Sequence, residues 1–153
     1  MADALRHHWP EYLIEAAGLG LFMVSAFTFG ALLEHPASPV HQAISDSLAR
    51  RFLMGLAMGS TAVGIIYSPW GKQSGAHINP SVTLTFLRLG KVKSWDAFYY
   101  VVFQFAGGLL GALVAAFALA AWVSHPSVNY VVTPRDMPAL SSLSSLKSSS
   151  RLF

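Results

Sequence analysis

The chain has 153 residues, of which 54% are hydrophobic and only 11% are charged, and its mean hydropathy is +0.49. Ordinary soluble domains carry about 25% charged residues, so this composition is typical of a membrane protein and argues against a soluble one. The formal net charge of +3 comes from ten Lys and Arg residues scattered between apolar runs, which do not form the basic surface that nucleic-acid binding requires. The chain has no cysteines, which excludes disulfide bonds and thiol catalysis.

Three long apolar runs predict the membrane-spanning segments. They cover residues 12–33, 52–67 and 97–123. A helix needs about 20 apolar residues to cross the hydrocarbon core, so the first and third runs suffice and the second must extend at its ends. Backbone groups in lipid must be satisfied within their own segment, so each run is predicted to be helical. We expect transmembrane helices at about 12–33, 51–68 and 96–123.

The first run is not typical of a cleaved signal peptide. It is longer than the apolar core of such peptides, which has roughly 7 to 15 residues, and Glu15 interrupts it early. Residues 1–11 before it are expected to form a polar cytoplasmic arm.

The segments between the runs are predicted to be loops. Residues 34–51 contain Pro36 and Pro39, which disfavour continuation of a helix. The second helix is predicted to end near Ser68, where a turn-rich stretch over residues 68–75 begins. Residues 126–153 are predicted to be a loop followed by a disordered, serine-rich tail. The tail differs in composition from what precedes it, as a displaced reading frame or a premature end of the chain would produce.

Basic residues predict the orientation, because Lys and Arg concentrate in short cytoplasmic loops. The N-terminal arm and the stretch between the second and third runs carry more of them than the loop between the first two runs: Arg6, Lys72, Arg88, Lys91 and Lys93 against Arg50 and Arg51. Basic residues in the tail weaken this bias. We expect a multi-pass protein of the plasma or inner membrane with a cytoplasmic N-terminus.

The most informative stretch is residues 74–83, Ser-Gly-Ala-His-Ile-Asn-Pro-Ser-Val-Thr. Gly75 permits an unusual backbone turn, Asn79 is a good N-cap, and Pro80 suits the first position of a helix. A helix over residues 80–89 would rise about 15 Å, which is half of a hydrocarbon core. The stretch therefore predicts a re-entrant half-helix that enters from the cytoplasm and ends near the middle of the bilayer.

The predicted loop before this half-helix has groups suited to a permeating solute. Non-helical backbone at such depth is tolerated only where it is buried in protein or lines a wet cavity. The carbonyls of Gly75, Ala76 and His77 are therefore candidate acceptors, and the Asn79 amide is a candidate donor. The helix N-terminus carries about half a positive charge, which disfavours protons and cations. The alternative at this point is an ordinary cytoplasmic loop.

Residues 74–83 resemble the pore motif of the aquaporin and glycerol-facilitator family, Ser-Gly-x-His-x-Asn-Pro-Ala-Val-Thr, with Ser81 where the family has Ala. The resemblance covers roughly residues 11–125, the N-terminal half of such a channel. It implies an all-α membrane protein in which three transmembrane helices and one re-entrant half-helix form one repeat of an inverted-repeat fold. It also implies permeation of water or a small neutral solute such as glycerol, with no cofactor, no metal and no enzymatic activity. The implied pore residues are Gly75, Ala76, His77, Asn79, Pro80 and Ser81.

Two further residues match the family pattern. Its first helix carries a buried glutamate that holds the pore-loop backbone, and Glu15 has the corresponding place. Gln104, followed by Gly107 and Gly108, resembles the third helix of the family, so the resemblance implies that Glu15 and Gln104 support the pore loop. A carboxylate inside the membrane is costly and should have a partner. Alternatively, Glu15 lies at the headgroup level, since it is near the start of its run. The Gly spacings 55–59 and 107–111 would allow close contact between helices.

A family channel joins two such halves, each with an Asn-Pro half-helix, whereas this sequence has one Asn-Pro pair. The resemblance therefore implies a truncated channel whose pore needs a complementary half-channel chain or an oppositely oriented second copy. The alternative is a non-transporting membrane protein, either a truncated remnant or a regulatory subunit. The six histidines show no metal-ligand spacing within a helix and no Ser-His-Asp pattern occurs, so an enzyme is the least favoured class.

Overall fold

The computed structural model describes residues 2–132 of the chain, and every regular element in that range is helical. In chain order the helices are α1 (Ala2–Glu34), α2 (Pro39–Ala43), α3 (Ser47–Tyr67), α4 (Pro69–Ser74), α5 (Pro80–Arg88), α6 (Ser94–Ala118) and α7 (Ala120–Val123), followed by a 3-10 turn over Asn129–Val131. The predicted serine-rich tail lies outside the described residues.

Two helices, α1 and α6, are long and apolar enough to cross a membrane. Large apolar side chains remain exposed along both helices, as shown by Leu21 of α1 and Phe117 of α6, which are 57% and 90% exposed. Such extensive apolar exposure is unfavourable in water and suits a lipid environment. Helix α3 is also 21 residues long, but Arg50 and Arg51 lie near its start, and α3 is not among the helices that are both long and apolar enough to cross a membrane. The prediction of an all-helical membrane protein agrees with this architecture.

The boundaries of α1 and α6 differ from those of the apolar runs that predicted them. Helix α1 begins at Ala2, so the described part of the predicted arm is helical, with a kink at His8 where φ is −121° and ψ is 18°. The kink precedes Pro10, whose ring disfavours the regular helix in the residues before it. At the other end of the chain, the predicted span to residue 123 is interrupted at Leu119, where α6 gives way to α7.

Two predicted loops contain short helices, so the prediction of irregular structure there was wrong. Pro39 begins α2 and Pro69 begins α4, because proline is tolerated in the first turn, where its missing N–H has no partner to lose. Helix α3 begins earlier than predicted, since the Asp46 side chain accepts a hydrogen bond from the Leu48 amide at 3.0 Å. Helix α4 ends at Ser74 and is followed by Gly75, whose φ of +88° suits glycine.

Helices α1 and α6 pack backbone against backbone. A Cβ atom at Gly107 would overlap the carbonyl oxygen of Ala16, and one at Gly111 would overlap that of Gly20. Only glycine allows this approach. The other predicted glycine pair, at residues 55 and 59 of α3, faces space in which an added Cβ atom would meet no atom of a neighbouring described element within 4 Å. The two identical spacings therefore have different surroundings.

Both ends of the α1–α6 pair are fixed by side chains. At the start of α6, Asp96 accepts a 2.6 Å hydrogen bond from the fully buried Tyr12 and lies 2.9 Å from His8 Nδ1. At the other end, buried apolar side chains pack together: Phe27, Ala31, Ala115, Val123 and Val128. Helices α1 and α6 thus pack along their length, and the segment between α4 and α5 packs against both of them.

Candidate functional site

Helix α5 begins with a capped asparagine. Asn79 has extended backbone angles, and its side-chain Oδ1 accepts a hydrogen bond from the Ser81 amide at 2.8 Å. Pro80 occupies the first helical position, as predicted from the motif. Asn79 and Ser81 are exposed. Because the cap uses Oδ1, the Asn79 Nδ2 group keeps its two donors, and no residue in the range 2–132 accepts from them.

The segment between α4 and α5, residues 75–78, has an unusual backbone. Gly75, Ala76 and Ile78 have φ angles of +88°, +45° and +39°. A non-glycine residue in this left-handed region costs of order 1–3 kcal/mol and persists only where the surrounding structure holds it. Two such residues in one short loop therefore require strong support from their neighbours.

Glu15 provides most of that support from α1. The residue is fully buried among the described residues. Its Oε1 accepts hydrogen bonds from the His77 amide at 2.9 Å and the Ser74 hydroxyl at 2.8 Å. Its Oε2 accepts from the Ile78 amide at 2.6 Å and from Gln104 Nε2 at 2.8 Å. Four donors around one carboxylate offset the cost of burying it.

Gln104 and Thr83 connect the loop to α6. Both are fully buried, and Gln104 Nε2 lies 3.1 Å from the Thr83 hydroxyl as well as bonding to Glu15. The Thr83 hydroxyl also lies 3.1 Å from His77 Nδ1. The structure thus brings Glu15, Gln104 and His77 together in one buried set of hydrogen bonds. Thr83 belongs to the motif, but the sequence alone assigned it no role.

Tyr100 is a residue of the site that the sequence did not single out. It lies on α6, one helical turn before Gln104, and its buried hydroxyl donates a 2.6 Å hydrogen bond to the Ser74 carbonyl. Its ring meets the His77 ring edge-on at 5.1 Å, and His77 stacks on Phe86 with ring centroids 4.7 Å apart. The signal that would have found Tyr100 is its spacing of four residues from Gln104, which puts both on one face of the helix.

The hydrogen bonds leave one set of loop groups unused. The amides of Ala76, His77 and Ile78 are all donated to side chains, the first of them to the Ser74 hydroxyl at 3.1 Å. By contrast, the carbonyls of residues 75–78 accept no hydrogen bond from the part of the chain that the structure describes. A row of acceptors therefore stands beside the N-terminus of α5, an arrangement that suits a small neutral molecule with hydrogen-bond donors.

A cavity of about 580 Å³ opens beside the loop at the N-terminal end of α1. Its lining combines Gly75 and His77 of the loop with charged residues, including Lys72, Lys93 and Asp96.

Over residues 2–132 no group of three or more His, Cys, Asp or Glu side chains is placed to hold a metal ion.

Comparison with known proteins relates this geometry to a family. The family with the description Major intrinsic protein matches residues 6–146. Aquaporin-8 of Notomys alexis is 33% identical over 75% of this chain and 41% of its own length. An Aquaporin of Encephalitozoon hellem is 29% identical over 76% of this chain and 44% of its own. The Aquaglyceroporin AqpS of Rhizobium meliloti is 29% identical over 66% of this chain and 40% of its own.

The chain spans less than half the length of these relatives. No solved structure matches it significantly. The family match includes the loop, both of its supporting helices and the motif at residues 74–83, so the resemblance seen in the sequence is confirmed. The chain belongs to the major intrinsic protein family, whose members are membrane channels and not enzymes.

Proposed function

We propose that this chain forms half of a channel for passive permeation of water or a small neutral solute such as glycerol. The observation that carries the proposal is the buried Glu15 carboxylate, which binds the amides of His77 and Ile78 and leaves the loop carbonyls available. The names of the relatives, which include aquaporins and an aquaglyceroporin, agree with both classes of solute.

In the proposed topology, α1, α3 and α6 span the plasma or inner membrane and α5 is a re-entrant half-helix. Residues 12–125 make up the half-channel unit. The length of α5 supports this, because nine residues rise only about 13 Å whereas the 21 residues of α3 rise about 32 Å. The contact between His8 and Asp96 puts the N-terminus at the same end as the basic stretch from Lys72 to Lys93, and by the positive-inside rule this end is cytoplasmic.

The pore residues have distinct roles in this proposal. The carbonyls of Gly75, Ala76 and His77 accept hydrogen bonds from the solute, and Asn79 Nδ2 donates one to it. Pro80 begins the half-helix, whose N-terminal partial charge disfavours cations and protons while neutral molecules pass. Ser81 is exposed next to Asn79 and adds a hydroxyl beside the permeating solute.

We further propose that a second half-channel closes the pore, either a complementary chain or an oppositely oriented second copy. Carbonyls that face lipid without a hydrogen-bond partner cost several kcal/mol each, so the carbonyls of residues 75–78 must be shielded from lipid by another protein segment. The open space beside Gly55 and Gly59 on α3 supports this proposal, because small residues allow another helix to approach closely.

Flux through vesicles containing the full chain tests the function. Asn79→Asp keeps an effective N-cap but puts a charge where the mechanism needs a neutral donor. We expect water and glycerol permeability to fall at least about tenfold, which corresponds to about 1.4 kcal/mol in the barrier. The matched control is Asn129→Asp, the same change at an exposed position whose side chain bonds to none of the described residues, and it should leave flux unchanged.

Two outcomes would count against the proposal. Equal flux in wild-type and Asn79→Asp vesicles would remove Asn79 from the mechanism. Wild-type vesicles that are no more permeable than empty ones, even with the chain inserted in both orientations, would contradict a channel formed by two copies. Co-purification of such an inactive chain with a complete channel would favour the alternative, a regulatory membrane subunit.

A further inference from the structure

The Ser74 carbonyl is the one carbonyl at the start of the loop that has a side-chain partner among the described residues. The Tyr100 hydroxyl donates to it at 2.6 Å, and both residues are buried. The next carbonyls along the chain, from Gly75 to Ile78, accept nothing from the described part of the protein. Tyr100 therefore stands at the boundary between bonded and free carbonyls.

We propose that Tyr100 is a positioning residue for the pore loop. Its hydroxyl fixes the carbonyl side of the Ser74–Gly75 peptide, whose amide side is bonded to the Gly71 carbonyl, so that the free carbonyl row begins at Gly75 and keeps a constant direction. The residue acts through the backbone and does not itself bind solute. The consequence for permeation rests on the proposed channel function, whereas the effect on the loop does not.

The loop is supported from two sides, and the Tyr100 contact is not duplicated. Glu15 on α1 holds the Ser74 hydroxyl and the last two amides, but none of these contacts restrains the Ser74 carbonyl. The residue after that carbonyl, Gly75, has a φ of +88° and the widest conformational freedom in the loop. On the other side of the same peptide, the Gly75 amide donates to the Gly71 carbonyl at 2.9 Å. Without the tyrosine hydroxyl, only this bond at the end of α4 holds the Ser74–Gly75 peptide plane, so we expect the plane to tilt more widely.

The hydroxyl can be separated experimentally from the ring. The ring packs against His77, which in turn stacks on Phe86, so a large truncation would disturb the packing of α5. Tyr100→Phe keeps this packing and removes only the donor. The matched control is Tyr99→Phe, because the neighbouring tyrosine stacks on Tyr12 and its hydroxyl has no partner within residues 2–132.

The sequence allows the Ser74 carbonyl to be observed alone. Ser74-Gly75 is the only Ser-Gly pair in the chain. Labelling serine with ¹³C at the carbonyl and glycine with ¹⁵N therefore gives a single correlated signal in solid-state NMR of the full chain in vesicles. A carbonyl carbon that loses a hydrogen bond moves upfield, so Tyr100→Phe is expected to shift this signal upfield and Tyr99→Phe to leave it in place.

Exchange of the loop amides provides a second readout. Tyr100→Phe should speed hydrogen exchange at His77 and Ile78 about fivefold, the effect of losing one hydrogen bond worth about 1 kcal/mol, without changing exchange in the middle of α6. Water permeability, measured on the same vesicles, should fall by a similar factor. A residue that only stabilised the whole fold would instead raise exchange along α1 and α6 together.

The outcomes separate this inference from the channel proposal. An unchanged Ser74 signal in Tyr100→Phe overturns the positioning role, whatever the flux. A shifted signal in vesicles with no wild-type flux supports the positioning role and contradicts the channel. If Tyr100→Phe does not fold, replacing the chain's five tyrosines by 3-fluorotyrosine, a stronger donor, should move the signal downfield, and no movement would overturn the role.

Discussion

Gln104 Nε2 donates a 2.8 Å hydrogen bond to Glu15 Oε2, and neither side chain is accessible to solvent. The bond joins α1 to α6 at the position along the two helices where the loop backbone packs against both of them. A buried carboxylate is favourable only when its oxygens are fully bonded, and here Glu15 receives two donors from the loop backbone as well. The loop and its two supporting helices are therefore coupled through one charged group.

Glu15→Gln should destabilise the protein by about 2–4 kcal/mol, because the new amide group has only one acceptor oxygen and puts its NH₂ against buried donors. The loss would be measured as a lower midpoint of thermal unfolding in detergent, with faster amide exchange at His77 and Ile78. The control is Glu34→Gln, where a partly exposed carboxylate lies 3.3 Å from Arg50 and the expected loss is under about 1 kcal/mol. Equal losses in the two variants would contradict the central place of Glu15.

Thr83→Val should lower stability by about 1–3 kcal/mol, since it leaves buried groups of Gln104 and His77 without their shared hydroxyl. The same substitution at Thr85 provides the comparison on α5. The Thr85 side chain is exposed and its hydroxyl bonds only to the Ser81 carbonyl one turn earlier, so the expected effect is within about 0.5 kcal/mol. Chemical unfolding of the two variants checks the difference, and a neutral Thr83→Val would show that the hydroxyl is dispensable.

Gly111→Ala should separate α1 from α6, because the added Cβ has no room against the Gly20 carbonyl. Overpacking of this kind costs about 1–3 kcal/mol. Gly55→Ala meets open space and gains helix propensity of up to about 1 kcal/mol, so the isolated chain should be as stable as the wild type or more so. Unfolding midpoints in detergent check this, and destabilisation by Gly55→Ala alone would contradict the described packing.

Single cysteines can report the proposed orientation without background, because the natural chain has none. A cysteine replacing Lys91 is expected to react with a membrane-impermeant thiol reagent only in inside-out vesicles. A cysteine replacing Asn129 should react only in right-side-out vesicles, as the two positions lie beyond opposite ends of α6. Labelling of both positions from the same side would contradict a transmembrane α6.

The same approach tests the depth of the loop. Cysteines replacing Ala76 and Ile78 should react slowly with the impermeant reagent, since Ala76 is 9% exposed and Ile78 is only partly exposed. A cysteine at Lys91 gives the reference rate for an exposed position. Rates at residues 76 and 78 equal to that reference would contradict the re-entrant half-helix.

The sequence by itself determined the protein class, the long helices and the family. Hydropathy over long windows and the N-cap chemistry of Asn79-Pro80 are local properties, so they can be recognised without coordinates. Local rules also misled where they were applied too simply, as at Pro39 and Pro69, because a proline that interrupts one helix can begin another.

Only the tertiary structure decided which distant groups meet. The Glu15 carboxylate reaches amides that are 62 and 63 residues away, and Tyr100 reaches the Ser74 carbonyl across 26 residues. Two glycine pairs with the same spacing were indistinguishable in the sequence, yet one lies in a helix contact and the other faces open space. The physical reason is that burial and hydrogen bonding depend on what packs opposite a residue, and local periodicity carries no information about that partner.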